Sequence, residues 1–289
     1  NPKRTAHYVA STHWDREWYE PFQDYRFRLV RLMDELLDLM TAEPQFKYFH
    51  TDGQSILIED YLEVRPEREE QLRALAKAGR LLIGPWYVMP DEFVVSGESL
   101  IRNLQMGMET ASRYGRPQRV GFVCDMFGHI SQLPQILRGF NIDNAFLFRG
   151  TNDRTHGAIW RWQGADGSEV MVNRFPRIHG YTAYAYHVRK VMSLDEPFEI
   201  EAALGELLQM VEREKARHRT PSFLLFDGSD HIEIEPQTTE LLRRANDQLA
   251  DVRIVHSNIE AFVEDLRRQQ EYITDVFEGE LRDPAEVGD

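Results

Sequence analysis

The sequence predicts an α/β fold of seven parallel strands, either a closed (β/α)7 barrel or an open sheet, with a β-hairpin inserted between strands five and six. Short β-branched or aromatic runs alternate with amphipathic helical segments, a pattern typical of parallel strands joined by right-handed crossovers. Seven such runs occur within 289 residues, enough chain for one large domain. Polar residues follow these runs, where the ligand of a parallel α/β fold binds. An open sheet would satisfy the same pattern of strands and helices.

The elements are predicted in order from hydrophobic periodicity and from helix-ending residues. After a first strand that ends at Ala10, strands are expected at residues 46–50, 80–83, 119–124, 144–148, 222–226 and 252–255. Helices are expected at residues 25–42, 54–64, 66–78, 98–114, 133–140, 235–249 and 259–270. Pro66 begins the third helix and Gly79 ends it, which is the usual placement of these two residues.

The predicted hairpin consists of the runs 158–162 and 169–172, which flank the turn dipeptide Asp166-Gly167. Hairpins at the carboxyl-terminal rim of such a fold commonly shape the pocket. No repeat or Gly/Ser linker divides the chain, so we predict one barrel domain over residues 1–275. Residues 276–289 are predicted to begin a connection to further C-terminal regions, because no finishing element is evident there.

Composition limits the partners. The net charge of −14, without a Lys/Arg-rich run, disfavours binding to nucleic acid or to an anionic membrane. Cys124 is the single cysteine, so no intrachain disulfide can form, and the cytoplasm is the expected compartment. No apolar run is long enough to predict a membrane span. The sequence leaves the oligomeric state open, a homo-oligomer included.

His13-Trp14-Asp15 follows the first strand and is the most informative tripeptide of the chain. In extended chain, residues i and i+2 point to the same side, so His13 and Asp15 can converge on one ion. Imidazole nitrogen and carboxylate oxygen are ligands that zinc accepts. A hydrogen-bonded His–Asp pair without a metal is the plainer interpretation of the same three residues.

The ends of the other predicted strands carry a matching set of polar and aromatic residues. They are Asp52, Trp86, Asp91, Asp125, Arg149, Asp227, Asp230 and His231. Because the carboxyl ends of parallel strands lie on one face, we expect these side chains to share a pocket. About half of the aspartates are expected to be helix caps or turn residues instead, and Asp52-Gly53 in particular is typical of a turn.

Carboxylates beside aromatic rings are what sugar recognition requires. Trp18, Trp86 and Phe127 could cover the apolar face of a pyranose, and two carboxylates could serve as nucleophile and acid/base. No phosphate-binding loop, dinucleotide fingerprint or serine nucleophile elbow is present in the sequence, which disfavours those chemistries. Cys124 lies within an apolar run and is interpreted as buried packing.

Four segments together resemble the catalytic domain of the α-mannosidases of glycoside hydrolase family 38. They are residues 13–18 (HWDREW), 84–92 (GPWYVMPDE), 124–135 (CDMFGHISQLPQ) and 228–231 (GSDH). They follow one another in the family's order over most of the chain. The resemblance implies a seven-stranded β/α barrel and a retaining, zinc-dependent exo-α-mannosidase that acts on an α-mannoside or a mannose-containing oligosaccharide.

Carried over by position, the resemblance makes His13, Asp15 and Asp125 zinc ligands and makes Asp125 also the nucleophile. Asp230 matches the general acid/base, with Asp227 close enough to exchange roles in such an alignment. The residues expected to contact substrate are Trp18, Trp86, Asp91, Phe127, Arg149 and His231.

One departure from the family concerns the fourth zinc ligand, a histidine beyond the barrel strands for which this sequence has no matching segment. His231, His129, His50 and His256 are the candidate substitutes. Three interpretations remain open: a fragment of a longer enzyme, a weak three-ligand site, or an inactive domain. Two further function classes also remain open, a metal-dependent carbohydrate deacetylase and a non-catalytic carbohydrate-binding domain.

Overall fold

A computed structural model describes residues 3–191 and 198–283 of the chain. Its strands are β1 (Arg4–Ala10), β2 (Phe49–His50), β3 (Leu81–Leu82), β4 (Phe122–Val123), β5 (Asn144–Leu147), β6 (Ile159–Gln163), β7 (Glu169–Arg174), β8 (Ser222–Asp227), β9 (Val252–His256) and β10 (Val276–Glu278). Its helices are α1 (Phe22–Ala42), α2 (Ile56–Leu62), α3 (Glu69–Lys77), α4 (Gly97–Ser112), α5 (Leu133–Gly139), α6 (Ile200–Arg217), α7 (Thr238–Gln248) and α8 (Ile259–Arg267). Every predicted strand and helix has a counterpart near its predicted position. The α/β class is therefore confirmed.

The strands fall into three hydrogen-bonded sheets. The sheets have the orders β8-β1-β9, β2-β3 and β10-β6-β7-β5-β4. A bridge between Ser11 and His50 continues β1 toward β2, and the amide of Gln118 donates to the carbonyl of Ile83 between β3 and β4. The described strands do not close into one ladder, so the seven-stranded barrel is not confirmed as such.

The hairpin forms where it was predicted, but it has a different role from the one expected. Strands β6 and β7 pair antiparallel, and β7 also pairs in parallel with β5. The hairpin therefore extends the five-stranded sheet. Its Trp160 and Trp162 are buried in the core instead of lining a pocket. Beyond it, β10 pairs in parallel with β6.

Helix α6 is a prominent element that the sequence analysis did not predict. Its buried residues are Ala203, Leu204, Leu207, Met210, Val211 and Glu214, and their spacing is that of an amphipathic helix. It packs beside β8 and α7. Among the described residues, no helix combines the length and the apolar character needed to span a membrane.

The buried parallel strands fix the direction of the loops that follow them. Residues Ala6–Ala10 of β1 are buried, and β8 and β9 pair with β1 in parallel on its two sides. The carboxyl ends of β1 and β8 consequently lie side by side. A bridge between His13 and Asp230 extends this pairing beyond the strands and brings two candidate site residues together.

Candidate active site

A cleft of about 350 Å³ opens at the carboxyl ends of the strands. Its lining residues are His13, Trp14, Asp15, Arg16, Glu17, Gln54, Val88, Met89, Pro90, Asp91, Asp125, Met126 and Phe127. A larger surface hollow of about 790 Å³ lies elsewhere, between the hairpin and α8, and its lining holds no candidate residue. We place the site in the smaller cleft, because the predicted metal-ligating and acidic residues converge there.

His13 is the centre of the cleft floor. Its Nε2 atom is 3.5 Å from Asp15 Oδ1 and 3.5 Å from Asp125 Oδ2. Nε2 is buried and has no hydrogen-bond partner among the residues that the structure describes. A buried polar atom that faces two carboxylates at this distance leaves room for a cation between them, since zinc binds nitrogen and oxygen at about 2.0–2.2 Å.

The other ring nitrogen of His13 is held from behind by Asp52. Oδ2 of Asp52 accepts from His13 Nδ1 at 2.9 Å, from the Trp14 amide at 2.8 Å and from Gln54 Nε2 at 2.8 Å. Asp52 is fully buried, and its φ of 53° agrees with the predicted turn. This turn residue therefore also orients the imidazole, which is the arrangement that supports metal-binding histidines.

Cys124 lies on the same side of the imidazole as Asp52. Its sulfur is 3.8 Å from His13 Nδ1 and 3.7 Å from Asp52 Oδ1. His13, Asp52 and Cys124 thus form a second cluster of metal-ligating groups, with all three atoms within 4.8 Å of one another. Of the two ring nitrogens of His13, Nδ1 is already hydrogen-bonded to Asp52, whereas Nε2 has no hydrogen-bond partner among the described residues. We therefore favour the Nε2 side as the position for a metal.

The charges around His13 favour a cation. Burial alone would lower the pKa of His13, but the charge of Asp52, with contacts to Asp125 and Asp15, raises it well above the usual range. Burial alone would raise the pKa of Asp125, yet His13 and Arg149 outweigh burial and lower it. Asp125 is therefore held as a carboxylate.

Asp230 has a different environment. Burial raises its pKa, and repulsion from Asp125 and Asp15 adds to this, against the opposing effects of His13 and Tyr181. The Tyr181 hydroxyl donates to Asp230 Oδ1 at 2.8 Å, and the Tyr181 ring packs edge-on against His13 with centroids 5.2 Å apart. Tyr181 lies in the segment between the hairpin and β8 and was missed, because no local motif marks it.

Asp227, the alternative acid/base, is engaged in the interior. It is buried, accepts from the Tyr8 hydroxyl at 2.6 Å and pairs with Arg189 at 3.3 Å. A buried carboxylate that is held by a guanidinium and a phenol forms a structural ion pair in the interior. The geometry therefore favours Asp230 over Asp227.

Phe127 lines the cleft, and Arg149 packs against its ring without being among the lining residues. The Phe127 ring is 53% exposed, and the Arg149 guanidinium lies 4.3 Å from its centroid. Nε and an Nη of Arg149 donate to Asp125 Oδ1 at 3.0 and 2.9 Å. Asp91 accepts from the Phe127 amide at 3.2 Å. Arg149 thus fixes Asp125, and Asp91 fixes the backbone of the aromatic residue.

Trp18 and Trp86 differ sharply in exposure. Trp18 is 52% exposed and stacks on Tyr19 beside the cleft, where its ring can meet a ligand. Trp86 is fully buried, and its Nε1 donates to the carbonyl of Phe122 at 2.9 Å. The expectation that Trp86 covers a sugar is therefore corrected: its side chain points from the strand end into the core.

The four candidate histidines are engaged elsewhere. His231 Nε2 contacts the carbonyl of Asp15 at 2.9 Å and its ring stacks on Tyr25, so it supports the loop of Asp15 from below instead of facing the cleft. The remaining contacts are His129 with Glu92, His50 with Ser11 and His256 with the carbonyl of Tyr48.

Comparison with curated proteins identifies relatives of this chain. A putative mannosylglycerate hydrolase of Halalkalibacterium halodurans is 34% identical over 299 residues, which covers 99% of this chain and 32% of that relative. An alpha-mannosidase of Saccharomyces cerevisiae is 27% identical over 182 residues, or 61% of this chain and 16% of the relative. The chain thus spans about a third or less of the length of these relatives.

Solved structures agree with the sequence relatives. An alpha-mannosidase from Enterococcus faecalis V583 matches with a TM-score of 0.85 and 31% identity, over 96% of this chain and 31% of that one. A putative polysaccharide deacetylase from Mycobacterium smegmatis matches with a TM-score of 0.56 and 12% identity, over 94% and 93% of the two chains, and shows the fold alone. The model of the glycosyl hydrolases family 38 N-terminal domain matches residues 3–280, so the chain belongs to this family.

Proposed function

We propose that the protein is a retaining, zinc-dependent exo-α-mannosidase in which Asp125 is the nucleophile and Asp230 the general acid/base. The observation that carries the proposal is the buried Nε2 atom of His13, 3.5 Å from both Asp15 and Asp125. Because the chain spans about a third of its first relative's length, the activity is assigned to a protein of that length, in which this chain is the N-terminal part. The seven-stranded barrel remains the fold that we propose for this domain of that protein.

The donor set fits zinc. One imidazole nitrogen and two carboxylates converge, and Asp52 holds the imidazole by its other nitrogen. When bound by His13, Asp15 and Asp125, zinc would supply Lewis-acid attraction for sugar hydroxyls and fix the orientation of the ring. The fourth ligand is expected from a segment outside the described residues, because His231, His129, His50 and His256 are not among the residues that line the cleft.

The two proposed catalytic carboxyl groups have opposite electrostatic environments, as a retaining mechanism requires. Arg149 and His13 keep Asp125 ionised, which the attack of this carboxylate on the anomeric carbon requires. Burial keeps the proton of Asp230 available for the leaving oxygen. After departure of the aglycone, Asp230 as a carboxylate would take a proton from the water that hydrolyses the Asp125 ester.

The walls of the cleft suit a pyranose. The exposed rings of Phe127 and Trp18 offer apolar faces, and Asp15, Asp91 and Arg16 offer hydrogen-bonding groups. The substrate class is an α-mannoside or a mannose-containing oligosaccharide. Mannosylglycerate belongs in the substrate panel, because the 34% identical relative carries that name.

The test combines turnover with trapping of the nucleophile. The protein is assayed on an aryl α-mannoside with zinc, after chelation, and after zinc is restored, and the first-formed anomer is identified by NMR. A 2-deoxy-2-fluoro mannosyl fluoride is expected to label Asp125, as read by peptide mass spectrometry. Release of the β-anomer would refute the retaining assignment, and labelling of another residue would refute Asp125 as the nucleophile.

Two variants and one product assay separate the alternatives. Asp125→Ala is expected to abolish turnover, because it removes the proposed nucleophile, whereas Asp227→Asn is expected to lower stability first, because it breaks the Arg189 pair. Acetate release from an acetylated sugar would support a deacetylase instead. If the protein of relatives' length binds mannose but shows no turnover after zinc is restored, the result would support a binding domain.

A further inference from the structure

A segment that is far from Asp125 in the sequence packs against the two loops that carry Asp125 and Arg149. Residues 280–283, here named the strap, run between the loop after β4 and the loop after β5. The His129 amide donates to the Leu281 carbonyl at 2.8 Å, and the Leu281 amide donates back to His129 at 2.9 Å. The Asp283 amide donates to the carbonyl of Gly150 at 3.1 Å. The strap therefore bridges the loop that carries Asp125 and the loop that carries Arg149.

The backbones of Gly128, Gly150 and Leu281 lie in close contact. A Cβ atom on Gly150 would lie 2.5 Å from the Leu281 carbonyl oxygen and 3.0 Å from the Cα of Gly128. A Cβ on Gly128 would lie 2.9 Å from the same oxygen. Both glycines have positive φ, +75° at Gly150 and +87° at Gly128, so a side chain would be strained at either position. These contacts allow the two loops little room to move independently.

Side chains anchor the strap on both sides. Leu281 is 1% exposed and belongs to the same core cluster as Met126, the residue after Asp125. The Arg282 guanidinium lies 4.6 Å from the ring centroid of Phe93, two residues beyond Asp91. Asn152, in the loop after β5, donates a hydrogen bond to Asp283.

We propose that the strap positions the proposed nucleophile, with Leu281 as its principal positioning residue. The path is short: the strap fixes Gly150, the preceding Arg149 donates two hydrogen bonds to Asp125, and the strap also fixes the loop after Asp125 through His129. This inference rests on the proposed role of Asp125. It adds that the reactive carboxylate depends on a segment that follows it by more than 150 residues.

The principal test is Leu281→Ala in the protein of relatives' length, with Leu241→Ala as the matched control. Leu241 is also 1% exposed but lies in α7, in a core cluster that contains no residue of the two loops. Both variants are expected to lower the melting temperature. Leu281→Ala alone is expected to lower kcat on the aryl α-mannoside by roughly 10- to 100-fold with little change in KM, since a small misplacement of a reacting group costs about this much. Leu281→Met is expected to restore most of kcat.

Hydrogen exchange read by mass spectrometry gives a readout that does not require activity. Leu281→Ala is expected to raise exchange in peptides covering residues 124–131 and 148–152, whereas Leu241→Ala leaves both slow. Equal kcat for the two variants, or unchanged exchange in both peptides, would overturn the proposal. If the parent protein has no mannosidase activity, the proposed function fails, and exchange still decides whether the strap holds the two loops.

Discussion

Replacing Asp52 by asparagine distinguishes the two clusters of metal-ligating groups around His13. In the arrangement that we propose, Asp52 and Cys124 lie behind the imidazole, and the metal lies between Nε2, Asp15 and Asp125. In the alternative, His13, Asp52 and Cys124 are themselves the ligands. The substitution Asp52→Asn keeps the shape of the side chain and removes its charge.

The expected size of the effect follows from the bonds of Asp52. Its Oδ2 accepts N–H groups from His13, Trp14 and Gln54 at 2.8–2.9 Å. A bond to a charged acceptor contributes about 1 kcal/mol more than a bond to a neutral one, so up to about 3 kcal/mol is lost in the folded protein, less the relief of burying a charge. The bond to His13 acts directly on the metal-binding ring. We therefore expect zinc affinity to fall roughly 10- to 100-fold, as for other residues that orient metal-binding histidines.

The assay is zinc binding in competition with a chromophoric chelator, together with the near-ultraviolet spectrum of the cobalt form. Asp15→Asn is expected to weaken zinc more than Asp52→Asn does, and Cys124→Ala is expected to leave zinc affinity unchanged. A cobalt spectrum with a strong thiolate band, or a Cys124→Ala variant that loses zinc, would refute the proposed arrangement. Either result would move the metal to the buried side of His13.

Three further outcomes test separate parts of the structure. Asp230→Asn is expected to lower kcat at least 100-fold for a poor leaving group and less for an activated aryl mannoside, because only the former needs the acid; equal losses for both would argue against that role. Trp86→Phe is expected to lower the free energy of unfolding by about 1–3 kcal/mol with unchanged KM, because it removes a buried hydrogen bond. Trp18→Ala is expected to raise KM, because the Trp18 ring is exposed beside the cleft. Urea unfolding and steady-state kinetics measure the two effects. Partial burial of His256 lowers its pKa from 6.5 to about 4, so its stabilising contribution is complete above pH 6.5 and falls by about 3 kcal/mol as the pH drops to 4. His256→Gln is expected to flatten this part of the stability profile, and an unchanged profile would contradict the assignment.

The convergence of His13, Asp15 and Asp125 could be predicted from sequence because it depends on local chain direction. Each follows a strand, and parallel strands end on the same face. The same rule placed Asp230 beside His13, where a backbone bridge joins them. The rule failed for Trp86, because a position after a strand places the residue at the carboxyl-terminal end of the sheet but does not determine where its side chain points.

The supporting hydrogen bonds could not be predicted because they depend on side-chain directions, which the position of a residue after a strand does not give. The Asp52–His13 bond joins residues 39 positions apart, and the Tyr181–Asp230 bond joins residues 49 apart. Helix α6 is a different case: its apolar residues recur at helical spacing, so that signal was present in the sequence and was not used. The closed barrel was implied by the family resemblance, and the strand pattern by itself does not establish how β3 meets β4 or how β7 meets β8.

The asymmetry between Asp125 and Asp230 is the step that links this fold to glycoside chemistry. Asp125 lies against a guanidinium and an imidazole, and these lower its pKa although burial opposes them. Asp230 is comparably enclosed but is bonded to a neutral phenol and faces other carboxylates, and its pKa is raised. Moving one positive charge would reverse this difference. Tyr181→Lys should therefore ionise Asp230 and remove its function as an acid, while Tyr181→Phe, which lacks only the hydroxyl, should leave most of that function in place.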